Sequence, residues 1–157
     1  MEESSLCKWY ADDDLVVYFS STPDVDFRVI EPNMTKEQKN DITEKPFLNK
    51  KEIKVVLFDL RRDRRYCFII KKGYTWDGAS IPWFAWRIIG AKTDPRFLVP
   101  SMIHDMLCEN HHFAGNDRYF ADKVFERLLY VSGVPAVKRW AMFHSVDNFQ
   151  KFQGWRA

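Results

Sequence analysis

Glycine and proline are scarce in this 157-residue chain, at 6 and 7 residues. Their scarcity excludes a linker-dominated or collagen-like protein. No stretch approaches the roughly 18 uninterrupted apolar residues that a membrane-spanning helix needs. The first residues, MEESSLCKWYADDD, are acidic and show neither the basic nor the apolar region of a secretory signal. Cysteine is limited to Cys7, Cys67 and Cys108, an odd number, widely spaced and without a C-x-x-C pair. That pattern disfavours a disulfide framework and a thiolate zinc site, and points to a reducing compartment. An excess of one charge is missing too. The 24 Lys and Arg face 22 Asp and Glu, a net charge of +2, so no global field draws nucleic acid.

What is plentiful is aromatic: 13 Phe, 6 Tyr and 6 Trp, 16% of the chain. The length suits one domain spanning residues 1–157, large enough to bury about two-thirds of its unfolded surface. Its halves differ in texture. Short β-branched or aromatic runs fill the first: Leu15–Phe19, Val25–Ile30, Ile53–Leu60 and Tyr66–Ile70. The last two should form a hairpin through Arg61-Arg62-Asp63-Arg64. The charged segment from Glu31 to Lys51 reads as an excursion with one helical turn near Met34–Asn40. After Ser80 the apolar period becomes helical. A short helix from Ser80 to about Gly90, a second from Asp94-Pro95 through Leu107, a third capped by Asn116 or Asp117, and a fourth over Ala136–Gln153 are expected. The fold class is therefore α+β, an N-terminal antiparallel sheet (1–72 mainly β) followed by about four packed helices (73–157 mainly α).

Three polar clusters interrupt the apolar pattern. The first is the segment from Gly73 to Ser80, in which Asp77 supplies a carboxylate while Gly78 and Ser80 offer backbone N–H groups to an anion or oxyanion. Its plainer reading is a strand-to-helix connection. The second is His104-Asp105, on a helix otherwise rich in Met, Ile and Leu. Histidine suits proton transfer near neutral pH, and a carboxylate suits a hard cation. Asp105 and Glu109 lie one turn apart, whereas Cys108 shares a different face with His104. The third is Asp122. A short loop after Asn110 makes the second and third helices antiparallel, which returns Asp122 toward His104 within about 2.6–3.2 Å and makes a His–carboxylate dyad. The competing partners for Asp122 are Arg118 and Arg139. A further basic cluster, Arg61, Arg62, Arg64, Arg65, Lys71 and Lys72 with Tyr66 and Tyr74 nearby, permits a nucleic-acid reading, but reads more simply as a solvated turn.

Asp77-Gly-Ala-Ser-Ile-Pro82, Asp94-Pro-Arg-Phe97, His104-Asp105 and Ala121-Asp122 with Phe125 resemble the phage- and bacteria-associated family labelled domain of unknown function 1353, over roughly residues 53–150. That resemblance implies a phage-encoded protein made in a host bacterial cytoplasm, with incorporation into the virion as an option, and it brings no settled activity. Over about 25 residues, His104-Asp105 and Ala121-Asp122-Lys-Val-Phe125 also resemble the paired helices of parvovirus-type phospholipases of the A-two class. This resemblance implies His104 drawing a proton from water, Asp105 binding calcium and Asp122 orienting His104. Cys108 stands near an expected tyrosine and no Gly-rich calcium loop is present, although Asp77-Gly78 could replace it.

The combined expectation is a metal-assisted hydrolase with His104 and Asp122 catalytic and Asp105 and Asp77 on a divalent metal, calcium first and zinc second. A phospholipid ester is its first substrate and peptidoglycan its second. The alternative is a non-enzymatic virion or tail component, or an inhibitor of a host defence protein, that meets a phage or host partner through aromatic surface. Trp76, Trp83 and Trp86 crowd one segment in that reading.

Overall fold

The computed structural model describes residues 6–77, 94–110 and 117–153, with side chains as far as His144 in the last helix. Four strands make the larger sheet: β1 (Cys7–Ala11), β2 (Leu15–Phe19), β5 (Ile53–Asp59) and β6 (Arg64–Ile70), antiparallel throughout in the order β1-β2-β5-β6. Strand β2 shows the alternation that its sequence requires. Leu15, Val17 and Phe19 are fully buried, and Val16 and Tyr18 are only partly so. The β5–β6 hairpin turns through Leu60–Asp63, and Asp63 takes the left-handed conformation at φ 53°.

A smaller sheet, in the order β3-β4-β7, pairs β3 (Val25–Phe27), β4 (Phe47–Asn49) and β7 (Thr75–Trp76). The strand expected over Val25–Ile30 ends at Phe27, and Val29 and Ile30 stand exposed. Between β3 and β4 the expected helical turn is a nine-residue helix, α1 (Lys36–Glu44). A capping box starts it. The Thr35 side chain accepts from the Gln38 N–H, and the Gln38 side chain accepts from the Thr35 N–H.

Asn49, fully buried at the end of β4, pins the chain that leads to β7. Its backbone N–H donates to the Tyr74 carbonyl and its carbonyl accepts from the Gly73 N–H, both at 2.8 Å. Its side-chain amide donates to the carbonyls of Ile70 and Lys71. Gly73 sits at φ +97°, a conformation that costs a side-chain-bearing residue dearly.

Three helices follow: α2 (Pro95–Glu109), α3 (Arg118–Val131) and α4 (Ala136–Gln153). Asp94 caps α2 with Pro95 in its first turn, and Asp117 rather than Asn116 caps α3 through the Phe120 N–H. The helix expected over residues 80–90 lies outside the described residues. One core cluster joins sheet and helices, with Leu15, Phe19, Ile53 and Leu57 meeting Met102, Ile103, Phe120 and Val124. A second, smaller cluster of Phe97, Phe125, Leu129, Val134 and Met142 seals the three helices against one another.

The β1–β2 turn is tied to α3 by charge. Asp12 accepts from the N–H groups of Asp14 and Leu15 at 2.7 Å, from the Tyr10 hydroxyl at 2.6 Å and from Arg127 Nε at 3.1 Å. Burial alone would raise the Asp12 carboxyl, but these four donors outweigh it and hold it well below the usual carboxylate range. A depressed carboxyl adds stability that is present above the unfolded-state value, near pH 4, and lost as pH falls below it. Asp12→Ala should therefore cost about 1–3 kcal/mol at pH 7. Below pH 4 its melting temperature should converge on that of the wild type. A constant gap across the acid range would show that Asp12 contributes by packing and not by charge.

Candidate functional site

The α2–α3 seam places His104 and Asp122 face to face. Met102, Ile103 and Leu107 turn one side of α2 inward, and Phe120, Ala121, Val124 and Phe125 do the same for α3. His104 and Asp122 ride in those apolar arcs, 1% and 0% exposed. Their Nε2–Oδ1 distance is 2.8 Å. A carboxylate only accepts, so Nε2 carries the shared proton and Nδ1 is left as the imidazole's acceptor. Of the competing partners, Arg118 adds a longer contact to Asp122 Oδ2 at 3.4 Å, while Arg139 bonds Glu126 and the Val134 carbonyl.

The imidazole lies between Phe125, whose ring centroid is 5.0 Å away, and Cys108. Cys108 Sγ is 3.8 Å from Nδ1 and 3.7 Å from Nε2. The sulfur is thus about equally close to both ring nitrogens. Burial pushes the Cys108 thiol up, and Asp105, Asp122, Glu109 and Asp77 push it further. Cys108 is thus held as a thiol. It is no activated nucleophile.

The next residue of α2, Asp105, is partly buried and meets Asp77 at the end of β7. Burial, the charge and side chain of Asp77, and the charge of Glu109 raise the Asp105 carboxyl well above its usual value, against a stabilising bond from the Asp77 backbone N–H. Asp77 Oδ1 is itself sealed from solvent, with no hydrogen-bond partner among the described residues. Two carboxyl groups in contact call for a proton or a cation between them. One turn on, Glu109 Oε2 accepts from the Tyr74 hydroxyl at 3.1 Å. Tyr74 is stacked on Trp76 with centroids 5.9 Å apart and planes at 13°, and its own hydroxyl is pushed up by burial and by Asp105, Glu109 and Asp77.

The structure therefore brings together His104 with Asp122 and Asp77 with Asp105, and Cys108 feels all the carboxylates at once. Gly78 and Ser80, the anion-binding expectation, lie outside the described residues, as do Trp83 and Trp86. Among the described residues no three His, Cys, Asp or Glu side chains already surround one point as metal ligands. Sequence reasoning passed over Tyr74 as part of this site, although a hydroxylated aromatic three residues before Asp77 was a usable signal. The basic hairpin tip is engaged within the protein. Arg61 pairs with Asp14, Arg62 with Asp59 and Asp117, and the Arg65 guanidinium lies 5.9 Å from the Phe58 ring centroid.

Fold and site together define an α+β protein with a buried histidine–carboxylate pair beside a pair of meeting carboxyls. The chain belongs to the family described as Protein of unknown function (DUF1353), whose model matches residues 55–146 and so takes in every side chain of the site. It is also 33% identical, over 101 residues, to the Uncharacterized protein y4jT of Sinorhizobium fredii. That match covers 59% of this chain and 29% of the relative, so the chain spans less than a third of that relative's length. No solved structure matches it. No helix among the described residues is long and apolar enough to cross a membrane.

Proposed function

We propose that this chain is a phage-encoded hydrolase that cleaves an ester by general base catalysis, with a phospholipid as its first substrate class and peptidoglycan as its second. The observation that supports it is the buried 2.8 Å contact between His104 Nε2 and Asp122, one residue from the Asp77–Asp105 pair. Asp122 fixes the tautomer and the ring orientation, so Nδ1 can take a proton from an attacking water. A divalent cation on Asp105 and Asp77, calcium first and zinc second, would polarise the ester carbonyl. The backbone near Gly78 and Ser80 is the proposed oxyanion site. The viral source, synthesis in a bacterial cytoplasm and a place in the virion rest on the family resemblance.

A second reading is favoured by one observation, the 1% exposure of His104. There the pair is an interhelix clamp in a non-enzymatic virion or tail component, or in an inhibitor that meets its partner through aromatic surface. The discriminating experiment incubates wild type and His104→Ala with phospholipid vesicles and with purified peptidoglycan, each with and without calcium. The hydrolase reading expects release of product by the wild type and a loss of about 10²–10⁴-fold in the variant. Equal product release, or none from either protein, would leave the clamp as the better account.

A further inference from the structure

We infer that the outward face of the larger sheet is a binding surface for single-stranded DNA. The inference stands apart from the proposed hydrolase, because the helices that carry the dyad pack against the inward residues of that sheet.

Strand register defines the outward face. Leu15, Val17 and Phe19 turn in toward the helices, so Val16 and Tyr18 turn out. Residues directly opposite one another share a face. Phe58 stands opposite Val16 and Arg65, Val56 opposite Tyr18 and Cys67, and Lys54 opposite Ile69. On β1, Lys8 stands opposite Tyr18. Arg65, Cys67 and Ile69 are exposed there, and Ile69 keeps half of its surface open.

Charge is the first feature that fits a nucleic acid strand. Lys8, Lys54 and Arg65 lie on three of the four strands, and no Asp or Glu occupies an outward position on any of them. The net charge of +2 makes no global field, yet this face is locally positive throughout. Cations spread in this way can neutralise successive phosphates. The second feature is aromatic. Tyr18 and Phe58 sit half-buried on the two central strands, with ring centroids 6.0 Å apart and planes at 82°. The Arg65 guanidinium, 5.9 Å from the Phe58 centroid, adds a flat cationic surface beside them. Rings near a right angle cannot both receive bases that remain stacked on each other. They suit the splayed bases of a single strand and not a duplex.

DNA is the choice over RNA because the outward positions hold no carboxylate or amide side chain to accept from a 2′-hydroxyl. A second copy of the chain is a poor occupant, since its cations would meet these cations. A lysine on a central strand also sets this face apart from the core of a protein interface, where lysine is depleted.

The full-length protein would be titrated into fluorescein-labelled oligothymidylate, its duplex with oligoadenylate, and oligouridylate, with phosphatidylglycerol vesicles as a separate arm. Expected are a saturable rise in anisotropy with the single strand and weaker binding of the duplex. The log–log salt slope should be about −2, for three phosphates neutralised. Tyr18→Leu and Phe58→Leu keep apolar volume and lose the ring, and each should weaken binding roughly five- to a hundredfold. Lys54→Gln should make the slope shallower by about 0.7. Bound oligothymidylate should slow alkylation of the exposed Cys67, and leave Cys7, opposite Phe19 on the other face, at its free rate. Thermal melts show which variants fold, and the Cys67 footprint needs no variant. Absence of binding at low salt overturns the inference. So does binding that the three variants share with the wild type while Cys67 stays unprotected, because the strand then lies elsewhere. Tighter binding of oligouridylate overturns the choice of DNA. Capture by vesicles without binding of oligothymidylate assigns the face to a lipid surface instead.

Discussion

Asp122→Ala should lower stability by about 2–4 kcal/mol, the cost of an unsatisfied buried donor and of the void left behind taken together. Asp122 is fully buried and accepts from both His104 and Arg118, so truncation leaves the Nε2–H without an acceptor and a void between α2 and α3. Asp122→Asn fills that void and keeps one carbonyl oxygen for Nε2, so it should fold at a smaller cost. Its neutral amide no longer fixes the catalytic tautomer as the carboxylate does, and turnover should fall by about 10²–10⁴-fold if His104 is a base. Urea denaturation of both variants, beside an activity assay of Asp122→Asn, separates the roles. Loss of stability with full activity in Asp122→Asn would reduce the pair to a clamp. Wild-type stability in Asp122→Ala would contradict the burial itself.

The second large effect is expected at Trp76. Its indole is fully buried, contacts Phe47 with ring centroids 5.7 Å apart, and donates from Nε1 to Ser101 Oγ at 2.9 Å. Ser101 in turn donates to the Leu98 carbonyl, so one bond links β7 to a satisfied position on α2. Trp76→Ala removes the largest fully buried side chain among the described residues and should cost about 3–5 kcal/mol. Trp76→Phe retains most of the packing and loses the bond, for about 1 kcal/mol. Guanidinium melts of the two variants give the comparison. Near-equal losses would mean that the hydrogen bond, and not the volume, anchors β7.

Much of this architecture was legible from residue order. Asp94-Pro95, an apolar period of 3.6 and Ser132-Gly133-Val134-Pro135 delimit α2 and α4 closely, because caps and breakers are local chemistry. The β5–β6 hairpin is local too. Strands β1, β4 and β7 escaped notice for physical reasons. Cys7–Ala11 is mostly exposed and bulged near Trp9, and strands of three and two residues are too short to show a period. Strands β4 and β7 exist because Asn49 and its partners hold them, and β1 because it pairs with β2, both tertiary causes. The candidate site divides the same way. His104 and Asp122 could be paired from helix spacing and a short loop, but the Tyr74–Glu109 contact spans 35 positions and depends on that Asn49 platform.

The charged tie between the β1–β2 turn and α3 bears on how the chain assembles. Asp12 and Arg127 are 115 positions apart, and Asp14 neutralises the nearly buried Lys123 at 3.0 Å. During synthesis the first hairpin emerges early and must wait, its acidic turn uncovered, until α3 has left the ribosome. The family-matched stretch, residues 55–146, contains Lys123 and Arg127 but neither of their aspartates, nor Leu15, Val17 and Phe19 of the core. Cut out alone, it would leave Lys123 and Arg127 without these two aspartates. The amino-terminal hairpin is thus a clasp on the helix that supplies Asp122 to the dyad, closed only when residues 115 positions apart meet.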